Sequence, residues 1–275
     1  MKQAKDVHKD AIIIDCTCPL AVLDDYHDNY MRGGVTVIAA TVGYGMADIG
    51  NLDFTMKTIG KWFAKFREEG RDLLHVNRVD DIFKAKEEGK LGVIFHFQGT
   101  TPFEDDINTV ELYHRLGVRM CQLCYNDKDL VGCGSAVEDD LIKAIAQNGG
   151  VIGFNGFPGF VADKPRPTLD DLLDHVDHMA GIAGPENICV GIDYFEYQAG
   201  VADDDTATQI YNFLLDSGSW NREEYPSPPW HWPEGIEMPE KLENLTIELY
   251  ERGYSEDEIK GILGLNVIRV FKEVW

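Results

Sequence analysis

A small set of polar residues lies within or directly after apolar runs that are typical of β-strands. Asp193 follows the run ICVGI, and Asn155 lies in GVIGFNGF. His96 and Gln98 end the run LGVIFHFQ, and because they are two residues apart their side chains share one face of a strand. Carboxylate, amide and imidazole groups that converge at strand ends can bind a small molecule, transfer a proton or ligate a metal ion.

Each of these positions also has a structural interpretation. Asp193 could accept hydrogen bonds from backbone N–H groups, and His96 with Gln98 could form a hydrogen-bonded pair inside the protein. We favour a catalytic role for Asp193, because the carboxyl ends of parallel strands carry the active sites of α/β barrels. For His96 and Gln98, ligand contact and structural pairing both stay open.

Two cysteine pairs invite a metal or redox interpretation that strand geometry disfavours. Cys121 and Cys124 are separated by an odd number of residues, so they point to opposite faces of a strand. Cys16 and Cys18 share a face, and we expect them to be buried structural thiols.

The polar and aromatic residues outside the predicted strands give weaker signals. His175 and His178 lie one helical turn apart without a third ligand, so we expect them on a solvated surface. The segment from Asp203 to Pro239 is rich in Trp, Pro and Ser and is predicted to be a long loop or lid. Its aromatic rings could close over a substrate or anchor the loop to the domain. The tryptophans concerned are Trp220, Trp230 and Trp232.

The composition limits the class of protein. The chain has 275 residues, of which 44% are hydrophobic, enough for one substantial core. Its 25 basic and 48 acidic residues give a formal net charge of −23, which argues against nucleic acid or an anionic membrane as a partner. We see no apolar run of the length that a signal peptide or a membrane span needs, and six cysteines in so long a chain do not suggest a disulfide framework. We therefore expect a cytoplasmic protein.

Apolar runs alternate with amphipathic stretches, which is typical of a parallel sheet covered by helices in a single domain spanning residues 1–275. Thr168 with Asp171, and Ser255 with Glu258, have the spacing of capping boxes at helix starts. The predicted strands are residues 11–17, 35–42, 91–98, 118–126, 150–157 and 188–195. The predicted helices include residues 53–69, 80–88, 105–115 and 139–147.

The C-terminal run LENLTIELYERGYSEDEIKGILGLNVIRVF resembles the closing segment of the membrane (renal) dipeptidase family. Residues 142–160 and 168–195 resemble the family's later strands and last helix, in the same order. The resemblance implies a TIM (βα)8 barrel in which two zinc ions, bridged by a glutamate, activate the water that cleaves a dipeptide. It also implies a homodimer.

Aligned on this resemblance, most of the metal-ligand positions hold other residues. The His-x-Asp pair of the family's first strand falls on Thr17 and Pro19, and the bridging glutamate falls on Gln98. A substrate-binding histidine falls on Tyr125, whereas the late aspartate is kept as Asp193. The resemblance therefore implies zinc as the family cofactor and an incomplete dinuclear site in this chain.

Six predicted strands fall short of the eight that a closed barrel needs. The family's fifth and sixth strands, which carry two further histidines, would lie between Ala136 and Val137. Either the chain is a truncated, rearranged barrel, or about two βα units are missing at that junction. We favour the missing segment, because losing two buried strands would disrupt a single core.

The sequence thus predicts a dipeptidase-like, metal-dependent amide or peptide hydrolase that acts on a small-molecule or dipeptide-like substrate. Two alternatives stay open: a metal-free or mononuclear enzyme on the same barrel, and a barrel that binds a ligand without catalysis. Asp193 is the predicted catalytic residue. The remaining predicted lining of the ligand site is Asp15, His96, Gln98, Tyr125, Asn126 and Asn155.

Overall fold

The computed structural model describes residues 1–45, 50–68, 72–122 and 138–275, and this part of the chain alternates strands with helices. The strands are β1 (Ile14–Cys18), β2 (Val37–Gly43), β3 (Leu73–His75), β4 (Leu91–Phe97), β5 (Val118–Cys121), β6 (Ile152–Phe154) and β7 (Ile188–Val190). The helices are α1 (Lys2–Asp10), α2 (His27–Arg32), α3 (Leu52–Lys65), α4 (Val79–Glu88), α5 (Asn108–Arg115), α6 (Asp139–Gln147), α7 (Pro158–Val161), α8 (Leu169–Ala183), α9 (Asp204–Asp216), α10 (Glu243–Glu251), α11 (Glu256–Lys260) and α12 (Asn266–Val274).

The strands form two parallel sheets that meet at β1 and β7. In the larger sheet β1 pairs with β2 and β2 with β4, while β3 and β5 pair with β4. In the smaller sheet β6 pairs with β7. The segment after β7 then lies against the end of β1, where the Asp193 N–H donates to the Thr17 carbonyl at 3.1 Å. The carboxyl ends of β1, β4, β6 and β7 therefore lie near one another.

Local sequence signals explain where several helices begin. Thr168 and Asp171 form the predicted capping box at the start of α8, and Ser255 and Glu258 form the one at α11. Asn51 accepts a hydrogen bond from the N–H of Phe54 and so caps α3. The two capping boxes confirm the sequence predictions, and all three caps depend on contacts three residues apart.

Two predictions of local structure were wrong. The segment 203–239 was expected to be a loop, but Asp204–Asp216 is the helix α9, with the Asp203 carboxylate accepting from the Thr206 N–H. The strand β3 was not predicted, because only three residues of it pair with β4. Packing against neighbouring strands and aromatic side chains stabilises both elements more than their local sequence does.

Helices cover one face of the larger sheet, and α12 covers part of the other. Ile14 and Cys16 of β1 pack with Val267 and Phe271 of α12, while α3 places Trp62 near Phe95 of β4, with ring centroids 6.4 Å apart. No helix in the described ranges is both long and apolar enough to cross a membrane.

Candidate functional site

Two cavities open near the carboxyl ends of the strands, and both are lined by Thr17 and Asn155. The smaller one, of about 560 Å³, we name the acidic cavity, because its wall contains Asp193 and Glu196. The other, of about 1070 Å³, we name the large cavity. A volume of several hundred cubic ångströms suits a small-molecule ligand.

Asp193 lies directly beyond β7 with its backbone in the left-handed region, at a φ of 62°. Residues other than glycine seldom adopt this conformation, although aspartate tolerates it better than most. The Asn155 Nδ2 donates to Asp193 Oδ2 at 3.1 Å, and the Asn155 Oδ1 accepts from the Phe157 N–H at 2.7 Å. The backbone turn and the Asn155 amide together fix the carboxylate at the cavity wall.

The acidic cavity contains a second carboxylate, Glu196, which sequence reasoning missed. Within the described part of the chain, its Oε2 is buried and has no hydrogen-bond partner. The turn that carries it is held by Gln198, whose Oε1 accepts from the Phe195 N–H at 2.9 Å and whose Nε2 donates to the Glu237 carbonyl at 2.7 Å. The available sequence signal was an acidic residue three positions after the strand-end aspartate.

The pKa values of both carboxyl groups, Asp193 and Glu196, are shifted toward neutral pH. Burial raises the pKa of Asp193 to about 7, with the Asn155 hydrogen bond opposing the change and Asp15 adding to it. Burial likewise raises the pKa of Glu196 to about 7; its backbone hydrogen bond opposes this, and the nearby Asp193 adds to it. A pair of acids with pKa values near 7 can donate and accept protons at neutral pH.

The residues at the family's metal positions line the acidic cavity as well. Thr17, Pro19 and Gln98 are all in its wall, and the Gln98 N–H donates to the Gly43 carbonyl at 2.8 Å. These residues offer a hydroxyl, no side-chain donor atom and a neutral amide, which do not fit two zinc ions. No group of three or more His, Cys, Asp or Glu in the described ranges could hold a metal ion.

Asp15, predicted in the ligand site, lies in the wall of neither cavity. Its Oδ1 accepts from the Ile192 N–H at 3.0 Å, so the side chain joins β1 to the segment after β7. A register shift between Asp15 and Cys18 changes the alternation that the sequence pattern assumed. Burial raises the pKa of Asp15 to about 6, and hydrogen bonds from Ile192, Cys18 and Thr17 oppose the change.

His96 lines the large cavity rather than the acidic one. Burial lowers the pKa of His96 to about 4, so the ring is neutral at physiological pH. Its Nδ1 is buried without a hydrogen-bond partner among the described residues. Tyr125 and Asn126, also predicted in the site, lie outside the described residues.

The tryptophans of the segment 203–239 mostly anchor it. Trp230 and Trp232 are buried, and the Trp232 Nε1 donates to the Ile192 carbonyl at 3.1 Å. Trp220 lies in the wall of the acidic cavity and stacks on Tyr225, with ring centroids 4.2 Å apart. Trp230 and Trp232 therefore anchor the segment, whereas closure of Trp220 over a substrate stays a prediction.

The remaining motifs have structural partners. Cys16 and Cys18 are buried, as predicted. The His175 Nε2 hydrogen-bonds the Val161 carbonyl at 2.8 Å, and the exposed His178 pairs with Asp139 at 2.9 Å. Cys124 lies outside the described residues, so the geometry of its pair with Cys121 stays a prediction.

The sequence model of the membrane dipeptidase family (Peptidase family M19) matches residues 1–134, 127–225 and 229–275. The chain belongs to this family. An uncharacterized dipeptidase of Schizosaccharomyces pombe is 28% identical over 141 residues, 50% of this chain and 26% of the relative. A second from the same yeast is 24% identical over 193 residues, 68% of this chain and 38% of the relative. The chain thus spans well under half the length of these curated relatives.

Solved structures of two hydrolases share the fold. An amidohydrolase from Pseudomonas aeruginosa superposes with a TM-score of 0.83 at 24% identity, covering 99% of both chains. A metallopeptidase from Rhodobacter sphaeroides, liganded with a phosphinate mimic of the dipeptide L-Ala-D-Ala, has a TM-score of 0.73 at 12% identity and covers 97% of this chain and 100% of its own. At these identities the likeness establishes a mixed α/β fold with a parallel sheet.

Proposed function

We propose that this member of the family is a dipeptidase-like hydrolase that cleaves an amide bond of a small substrate in the acidic cavity. The observation that carries the proposal is the position of Asp193, fixed beyond β7 in the wall of the acidic cavity. Ligand sites of parallel α/β folds lie at the carboxyl ends of the strands. Family membership supplies the reaction class.

The two acids support general acid–base catalysis of hydrolysis. At neutral pH, pKa values near 7 for Asp193 and Glu196 keep one group protonated for part of the time. The ionised carboxylate would accept the proton of the attacking water, and the protonated one would donate a proton to the departing amine. The Gln98 amide in the same wall can donate to the carbonyl oxygen as it gains negative charge.

The family's zinc chemistry enters no step of this mechanism. Bound zinc would supply a metal-activated hydroxide, but Thr17, Pro19 and Gln98 do not provide its ligands. The roles proposed for Asp193, His96 and Gln98 do not depend on a bound metal ion. His96 would contact only a substrate that extends into the large cavity.

An Asp193→Ala variant tests the proposal, with hydrolysis of a panel of dipeptides and aminoacyl amides followed by release of free amine. We expect turnover to fall at least 100-fold, because the carboxylate acts in the reaction. The thermal midpoint should fall by only a few degrees, since alanine is disfavoured in the left-handed backbone conformation at this position. Asp216→Ala, on the exposed surface, is the matched control. A lower midpoint with unchanged turnover on the folded fraction would assign Asp193 a structural role and remove the mechanism.

The same proposal includes the finer architecture. We propose that the two adjoining sheets belong to a (βα)8-type barrel in one domain, and that the protein is a cytoplasmic homodimer. The family match supports the barrel, and its first two segments overlap at residues 127–134, close to the junction where two βα units were expected. An intact mass of the purified protein tests the missing segment, and light scattering tests the dimer.

A further inference from the structure

The charge of the acidic cavity points to the class of ligand. Twenty described residues line this cavity; the carboxylates among them are Asp193 and Glu196, and none of the twenty is a Lys, Arg or His. A buried carboxylate oxygen with no partner, such as Glu196 Oε2 among the described residues, is costly, so an occupant that compensates it is favoured. The protein as a whole carries a formal charge of −23, which attracts cations toward its surface.

The aromatic residues of the same wall indicate what kind of group accompanies the positive charge of the ligand. Nine of the twenty lining residues are aromatic. Such rings bury apolar groups, and their faces attract cations within about 6 Å. The nine are Tyr44, Phe54, Phe157, Phe160, Phe195, Tyr197, Phe213, Trp220 and Tyr225.

A bare metal ion fits this wall poorly. Calcium takes six to eight oxygen ligands and magnesium needs a near-octahedral set of oxygens. Two carboxylates set among aromatic rings match instead an ammonium group attached to an apolar body. A ligand carboxylate would find no cationic side chain among the described lining residues.

We propose that the acidic cavity binds a primary ammonium ligand with an aromatic or bulky apolar substituent, its charge held by Glu196 together with Asp193. Glu196 carries the inference, because its Oε2 is buried and lacks a partner in the described part of the chain while the side chain lines the cavity. The inference rests on the proposed function for the location of the site and names its substrate class: amides of apolar amino acids that keep a free ammonium group and have no free carboxylate.

Calorimetric titration at pH 8 with three probes of similar size tests the charge preference. The probes are 2-phenylethylammonium chloride, neutral 2-phenylethanol and anionic 3-phenylpropionate. We expect the ammonium to bind at least tenfold more tightly than the alcohol, and the carboxylate not to bind. Equal affinity for ammonium and alcohol, or tighter binding of the carboxylate, would overturn the inference without any variant.

A Glu196→Gln variant then tests the residue, since the amide keeps the shape and removes the charge. The ammonium should bind at least tenfold more weakly, and 2-phenylethanol should change less than twofold. Glu251→Gln, on the exposed end of α10, is the control. Unchanged ammonium binding to folded Glu196→Gln would remove Glu196 from the site; if this variant fails to fold, the probe series on the natural chain decides.

The result is separable from the proposed hydrolysis. Selective ammonium binding without cleavage of any tested amide would support this inference and contradict the hydrolase proposal. Amide cleavage by a chain that binds the alcohol and the ammonium equally would support the hydrolase proposal and contradict this inference.

Discussion

The acidic cavity and the large cavity share Thr17 and Asn155 but differ in how their charges are satisfied. In the large cavity, the Arg119 guanidinium donates to the Asn77 carbonyl at 2.8 Å and to the His114 carbonyl at 2.7 Å. In the acidic cavity, the described residues leave Glu196 Oε2 without a partner. The charge of Arg119 is therefore satisfied within the fold, whereas the described residues leave one oxygen of Glu196 unsatisfied.

The largest expected effect comes from removing the side chain that supports the segment after β7, which carries Asp193 and Glu196. Trp232 is buried, packs near Tyr194 at a centroid distance of 6.5 Å and donates to the Ile192 carbonyl. We expect Trp232→Ala to lower the free energy of unfolding by about 3–5 kcal/mol, because it leaves a void and an unpaired carbonyl. Urea denaturation measures this change.

The matched control for Trp232 is Phe213→Ala in the wall of the acidic cavity. Phe213 is 46% exposed, so its loss should cost less than about 1 kcal/mol. A similar cost for the two variants would mean that Trp232 does not hold the end of β7.

A pH series on Asp15→Asn separates a buried structural acid from the acids of the cavity. The pKa of Asp15 is raised to about 6 in the folded protein, so folding is favoured below pH 4 and that contribution is lost as pH rises toward 6. The natural chain should therefore lose about 2 kcal/mol of stability between pH 4 and pH 6 relative to Asp15→Asn. The Asn side chain can still accept from the Ile192 N–H.

Chemical denaturation at pH 4.5 and pH 7.5 measures the difference for Asp15, with exposed Asp216→Asn as the control. Parallel pH profiles for the natural chain and Asp15→Asn would show that Asp15 is not buried between β1 and the segment after β7. Apolar amine binding should be retained in this variant, since Asp15 lies in neither cavity wall.

The smallest expected effects come from adding one methyl group to a glycine near either cavity. A Cβ at Gly156 would lie 3.0 Å from the Ile192 carbonyl oxygen and 3.3 Å from Trp232 Cδ1, so Gly156→Ala should cost about 1–2 kcal/mol. A Cβ at Gly153, in the large cavity, would meet Cys189 Sγ at 3.6 Å, an ordinary contact. Gly153→Ala should therefore change stability by less than about 0.5 kcal/mol. Thermal unfolding that ranks the two variants in the opposite order would contradict this packing.

Much of the fold follows from patterns that are local in sequence. The predicted strand 91–98 contains β4, and the predicted strand 35–42 covers all of β2 except Gly43, since both runs are mostly apolar and both faces of these strands are buried. The short strand β3 and the helix α9 escaped prediction because their pairing and packing partners are distant in sequence. The predicted barrel would need pairing beyond the seven strands that the described residues form.

The sequence by itself determined the family, the capping boxes and the strand-end aspartate Asp193, because each depends on residue types at fixed spacing. Only the tertiary structure decided which side chains share a cavity. Asp15 accepts a hydrogen bond from the Ile192 N–H and lies in neither cavity wall, whereas the turn held by Gln198 brings Glu196 into one. Both placements depend on contacts that side chains make in the folded protein, so sequence spacing could not reveal either of them.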